Sequence, residues 1–142
     1  MLKKVLTVDD SDMVRTMYRL ALRHFEDCRV VAANNGREAL ERLAEESGYD
    51  LILLDVNMPV MNGLEFLETF KRKRLPLPAP VIVVSAEGQE VDVKQAMALG
   101  ATGNLIKPFQ SGSLLDLVDA VFGAERERPA SPADAAVSRR PF

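Results

Sequence analysis

The sequence predicts an α/β protein built on a doubly wound parallel sheet with helices on both faces. Three observations carry this expectation. Short apolar runs alternate with longer segments of helical period, which gives the order βαβαβαβαβα. Two of the runs, Leu51-Ile52-Leu53-Leu54 and Val81-Ile82-Val83-Val84, are apolar at every position. A strand covered on both faces needs that pattern, and parallel sheets flanked by helices supply the cover. Crossovers between parallel strands are right-handed almost without exception, so such an alternation winds helices around the sheet.

The elements follow in order. Val5-Leu6-Thr7-Val8 is the first expected strand, and Cys28-Arg29-Val30-Val31-Ala32-Ala33 the second. The two apolar runs above are the third and fourth, and Gly103-Asn104-Leu105-Ile106 is a weaker fifth. Between them the helical period is plain. Val14, Met17, Tyr18, Ala21, Leu22 and Phe25 share one face; Ala39, Leu40 and Leu43 share the next. Leu64, Leu67 and Phe70 form a third stripe, Val93, Ala96 and Met97 a fourth, and Leu114, Leu117, Val118, Val121 and Phe122 a fifth. Gly36 and Gly63 open helices, Gly100 closes one, and Pro76, Pro78 and Pro80 mark a loop before the fourth strand.

At 142 residues the chain is long enough for one domain with a substantial core, expected over 1–124. It is 47% hydrophobic and 27% charged, an ordinary globular balance, and its net charge of -3 favours no class of partner. No basic stripe points to nucleic acid. The first apolar run is too short, and too soon ended by Asp9, for a signal peptide or a membrane span. The lone Cys28 forms no internal disulfide and reads as a buried small hydrophobe; this fits a reducing, cytoplasmic setting. Residues 125–142 are rich in Arg, Glu, Pro, Ser and Ala without apolar period, and are expected to be a disordered tail.

In doubly wound sheets, ligands bind at the carboxyl ends of the strands. Here those ends carry Asp9-Asp10, then Asp55 followed by Asn57, then Ser85-Ala86-Glu87, then Lys107-Pro108. Three carboxylates brought together repel one another, which raises a pKa or loosens the fold. A divalent cation removes the problem, and an oxygen-only donor set suits Mg²⁺. Asp10 and Asp55 are the expected direct ligands, with the backbone carbonyl of Asn57 added and Asp9 acting through water. A carboxylate beside such a cation is a competent nucleophile for phosphoryl transfer. Lys107, the Ser85 hydroxyl and backbone N–H groups after Asp55 and at Ala86 are then available to the phosphoryl oxygens.

With those residues in view, the sequence resembles the response-regulator receiver domains, in particular the stand-alone CheY-like chemotaxis type. The matching pieces are Val8-Asp9-Asp10-Ser11, the run from Leu54 through Asp55 to Gly63, Ser85-Ala86, and Ile106-Lys107-Pro108-Phe109. They span about residues 3 to 123. The resemblance implies a strand order of 2-1-3-4-5 and a receiver with no output domain in this chain. It implies Asp55 as phosphoacceptor, Asp9 and Asp10 as the acidic pair, Ser85 as switch hydroxyl and Lys107 as phosphate-sensing cation. It also implies a cis peptide before Pro108, and Asn57 and Glu87 flanking the attacking water. A sensor histidine kinase or phosphotransfer protein would be the donor. A downstream protein would dock on the face of the fourth helix, fifth strand and fifth helix, roughly Glu90 to Phe122. The chain would catalyse its own phosphorylation and dephosphorylation without being a turnover enzyme. One departure stands out: Asn104 occupies a position where many family members carry an aromatic switch residue.

Other readings account for less. Ser11 or Asp10 can cap the first helix, but one cap does not explain two acids. His24 reads as an exposed helix residue, and Asn62-Gly63 as turn geometry. A phosphatase of the haloacid dehalogenase type needs a second Asp where Asn57 stands. A flavodoxin-like carrier would set Asp9-Asp10 against a flavin phosphate. A receiver-like interaction module that is never phosphorylated, or a phosphate sink, is the remaining alternative.

Overall fold

The computed structural model describes residues 2–126, with side chains through Val121. The ten elements are β1 (Lys4–Val8), α1 (Asp12–Leu22), β2 (Arg29–Ala33), α2 (Gly36–Glu45), β3 (Leu51–Asp55), α3 (Gly63–Arg72), β4 (Val81–Ala86), α4 (Glu90–Ala98), β5 (Gly103–Lys107) and α5 (Ser111–Arg126). All strands pair in parallel, in the order β2-β1-β3-β4-β5. The predicted architecture and strand order are therefore found. α5 runs through Glu125 and Arg126, the first two residues of the expected tail; the rest of that tail, and the side chain of Phe122, lie outside the described residues.

Alternate residues of each strand feed opposite faces of the sheet. Leu6, Val8, Ile52, Leu54, Val81 and Val83 pack with Ala39, Phe66, Leu67 and Ala96 beneath α2, α3 and α4. Val5, Leu51, Leu53, Ile82 and Val84 pack with Tyr18, Ala21, Leu22, Leu114 and Val118 beneath α1 and α5. Each of the larger buried side chains contributes roughly 1.5–3 kcal/mol of transfer free energy. β3 is buried throughout and β4 through Ser85, as their uninterrupted apolar runs predict.

Four local readings are corrected. Phe66, absent from the predicted α3 stripe, is fully buried and meets Phe70 edge to face. Met97, assigned to the apolar face of α4, is exposed, and Ala96 is the only fully buried side chain of that helix. Cys28 is half-buried on the sheet's edge, where burial and then Asp50 push its thiol pKa up. His24 is exposed as expected, but it lies in the turn after α1, which ends at Leu22.

The starts of α1, α2 and α3 are capped by side chains. Ser11 Oγ accepts from the Val14 N–H, and Asn35 Oδ1 from the Glu38 N–H. Asn62 and Glu65 close a capping box at α3. Gly63 does more than turn the chain. A Cβ placed there would stand 2.4 Å from the Asp55 carbonyl oxygen and 3.0 Å from the Val56 Cα. Only a bare backbone allows α3 to begin against the end of β3. Just before it, Val60 holds a left-handed backbone at φ +68°, an uncommon state for a β-branched residue. The adjoining Met61 carbonyl accepts from the Gly36 N–H at 2.8 Å, which ties this loop to α2.

Gly63→Ala is expected to lower stability by about 2–3 kcal/mol through that backbone clash. Urea unfolding measures it, and a loss below about 0.5 kcal/mol, the range of an ordinary surface change, would contradict the account.

Candidate functional site

The five strands end on one edge of the sheet, and Asp9, Asp10, Asp55, Asn57 and Lys107 meet there. A cleft of about 260 Å³ is lined by Asp10, Asp55, Asn57, Ala86, Gln89 and Lys107. Asp55 closes β3 and is 4% exposed. Its Oδ1 accepts from the Asn57 N–H at 3.2 Å, and its Oδ2 stands 3.3 Å from Lys107 Nζ.

Asp9 sits deeper, fully buried behind that pair. Both its oxygens have donors: the Ser11 N–H reaches Oδ1 at 3.0 Å, while Tyr18 Oη and Lys107 Nζ each reach Oδ2 at 3.2 Å. Tyr18 is itself fully buried and stacks on Phe109, with ring centroids 5.6 Å apart. Burial first, then the charges of Asp9 and Asp55, push its phenol pKa well above the ordinary value, so it is a permanent donor to Asp9. Lys107 thus bridges two carboxylates. Burial opposes its charge, but Asp55 and Asp9 outweigh that and its pKa is raised. The Lys107–Pro108 peptide is cis, as the resemblance implies.

The electrostatics are unbalanced all the same. Asp9, Asp10 and Asp55 each bring a carboxylate oxygen within 4.8 Å of the others, and one ammonium faces them. Burial and then the neighbouring Asp9 raise the Asp55 pKa to about 6, against the pull of Lys107 and the Asn57 N–H. A carboxylate poised this way gains from added positive charge. The donor set is oxygen only, with Asp10 exposed at the mouth and Asp55 and Asn57 on the wall. This fits a hard divalent cation such as Mg²⁺.

Two predicted site residues do not line the cleft. Ser85 is buried at the end of β4, and its hydroxyl donates to Asn104 Oδ1 at 3.1 Å. Glu87 is exposed and does not line the cleft, whereas Gln89 does. The Ala86 N–H is already engaged, donating to Gln89 Oε1 at 2.6 Å. Gln89 and Tyr18 were not singled out as site residues by the sequence. Tyr18 looked like one more member of an apolar stripe, and Gln89 carries no motif.

An acidic cleft at the carboxyl edge of a 2-1-3-4-5 parallel sheet, with a lysine brought in from the last strand, places the chain among doubly wound α/β proteins whose site lies at the strand ends. The chain belongs to the response regulator receiver domain family, whose pattern matches residues 5–119. It is a receiver domain of two-component signalling. It is 37% identical over 125 residues to the chemotaxis protein CheY of Halobacterium salinarum, covering 87% of this chain and 100% of that protein. It is also 38% identical over 133 residues to the transcriptional regulatory protein CpxR homolog of Haemophilus influenzae, covering 94% of this chain but only 54% of that protein. Among solved structures it resembles the chemotaxis response regulator CheY4 of Vibrio cholerae, with a TM-score of 0.72, 36% identity, and 85% and 99% of the two chains covered. The relatives thus serve different pathways, and the chain spans about half the length of the CpxR homolog.

The raised Asp55 pKa fixes a stability trend in metal-free buffer. The folded protein holds this proton more tightly than the unfolded chain, whose value is near 3.8. The group's contribution is therefore full below about pH 4 and is lost as pH rises through about 6. Asp55→Asn should unfold at higher urea than wild type at pH 7.5, by about 1–2 kcal/mol after discounting for solvent at the open side, and the gap should close at pH 4.5. Equal stabilities at pH 7.5 would contradict the electrostatic assignment.

Proposed function

We propose that this receiver takes a phosphoryl group on a carboxylate oxygen of Asp55, from a phosphohistidine of a sensor histidine kinase or phosphotransfer protein. The observation that carries the reading is the Asp55 carboxylate itself. It is nearly closed off, charge-frustrated beside Asp9, and open on one side to a cleft shared with Asp10, Asn57 and Lys107. In the step, an oxygen–phosphorus bond forms at Asp55 and the donor's nitrogen–phosphorus bond breaks, its electron pair staying on the imidazole. The reaction asks the protein mainly to position groups and neutralise charge.

Asp55 and Asp10 supply carboxylates, and Asn57 a main-chain carbonyl, that would hold Mg²⁺, with Asp9 acting through water. Bound there, the ion would screen the acids and draw the phosphoryl oxygens towards them. Lys107 keeps its charge in the cleft and can turn from Asp55 Oδ2 to a phosphoryl oxygen within the reach of its stem. Asp9 holds the lysine's other contact throughout. Water then hydrolyses the acyl phosphate, releasing inorganic phosphate and regenerating the Asp55 carboxylate, so the chain carries out both steps on its own side chain.

The output surface we assign is α4, β5 and α5. Val91 and Met97 on α4 and Ile106 on β5 are exposed large apolar residues on that face. Such exposure suits docking of a protein partner. Chemotaxis is one pathway this would serve; the mixed relatives support the receiver role without singling it out. Among the described residues no helix is long and apolar enough to cross a membrane, in keeping with a cytoplasmic site of action.

Incubation with acetyl phosphate and Mg²⁺, read by intact mass, is expected to add one phosphoryl group to wild type and none to Asp55→Ala. Chelating the metal should slow the addition at least tenfold. Failure to gain mass, or a gain that persists in Asp55→Ala, would sink the proposal.

A further inference from the structure

Two hydrogen bonds at the end of β4 have no part in the reaction as written above. Ser85 Oγ donates to Asn104 Oδ1, and the Ala86 N–H donates to Gln89 Oε1, the latter in the cleft itself. Both donors come from consecutive residues beside Asp55. Both acceptors are neutral side-chain amide oxygens. Each acceptor also belongs to an element of the face assigned above to output: Asn104 lies in β5, and Gln89 is the residue at the N-terminal boundary of α4.

We propose that Asn104 and Gln89 are positioning residues whose amide oxygens stand in for phosphoryl oxygens in the resting protein. The inference rests on Asp55 being the phosphoacceptor. Ser85 is buried, and a buried donor left without a partner costs more than the bond itself contributes, so its hydroxyl needs an acceptor in every state. A phosphoryl group on Asp55 offers acceptors that carry charge, and hydrogen bonds to charged acceptors are roughly twice as strong as neutral ones. Ser85 and Ala86 therefore exchange an amide oxygen for a phosphoryl oxygen when Asp55 is modified, and exchange back on hydrolysis.

The exchange has a consequence at each holder. Gln89 makes no side-chain capping bond to α4 because its amide is turned back to β4. Losing the Ala86 N–H frees it at the start of that helix. Asn104, paired in register with Val83, loses its tie to Ser85 and is free to turn. No aromatic side chain is needed for either movement. This chain would thus report phosphorylation through two amides.

The test uses the full chain and the phosphoryl mimic beryllofluoride with Mg²⁺. Gln89→Met and Asn104→Leu keep approximate size but cannot accept. Each should bind beryllofluoride about fivefold more tightly than wild type, because one competing hydrogen bond no longer has to be broken. Affinity for Mg²⁺ alone should be unchanged. In wild type, beryllofluoride should shift the side-chain amide resonances of Gln89 and Asn104 together with the Ala86 amide. Gln89→Met without ligand should already move the Ala86 amide proton upfield. Unchanged or weaker beryllofluoride binding in both folded variants, or side-chain amides of wild type that do not respond, would overturn this inference while leaving Asp55 as acceptor. Wild type that binds no beryllofluoride would overturn both.

Discussion

The ammonium of Lys107 between Asp9 and Asp55 is the contact on which the carboxyl edge of the sheet depends. Desolvation and mutual repulsion both act against the charge of two buried carboxylates from adjacent strands, and Lys107 offsets part of each. Lys107 comes from β5, two strands away from β3, and its stem must pass the end of β4. Strands lie about 4.8 Å apart, so the span is within a lysine's reach only if β4 ends in small residues. Ala86, the register partner of Lys107, is small. Strand order and the short side chain of Ala86 thus both serve one bridging charge.

Asp9 is best understood as the anchor of this arrangement. Its oxygens are committed to Ser11, Tyr18 and Lys107, and Asp10 is the member of the pair that meets solvent. Tyr18 ties the anchor to α1, and its stacking on Phe109 ties α1 to the segment after β5. The acid pair of the sequence is therefore divided in labour by depth, one residue organising and the other facing the cleft.

Much of this was legible in the sequence, for identifiable reasons. β3 and β4 are buried on both faces, and burial leaves no polar positions to blur the pattern. Asp9, Asp10, Asp55 and Lys107 were legible because parallel topology carries strand ends to one edge whatever the side-chain detail. What escaped notice depends on partners distant in the chain. Nothing near Tyr18 announces that its hydroxyl will meet Asp9 rather than solvent. Nothing near Asn104 or Gln89 says that β4 will offer them donors. α4 was misread at Met97 because its polar and apolar residues are poorly segregated, so that no stripe dominates the helix.

That weak segregation has an energetic meaning. α4 commits one fully buried side chain, Ala96, to the core, whereas α3 commits Phe66 and Leu67 and α5 commits Leu114, Val118 and Val121. Free energies of local opening follow the apolar surface an element would expose, so they differ widely within one domain. By that measure α4 has the shallowest well among these three helices, and it begins a few residues from Asp55's cleft. A covalent event at one carboxylate liberates only a few kcal/mol to rearrange structure. A deeply packed helix would absorb it without effect, whereas α4, which begins directly after Gln89 in the cleft wall, has less buried apolar surface to lose than α3 or α5.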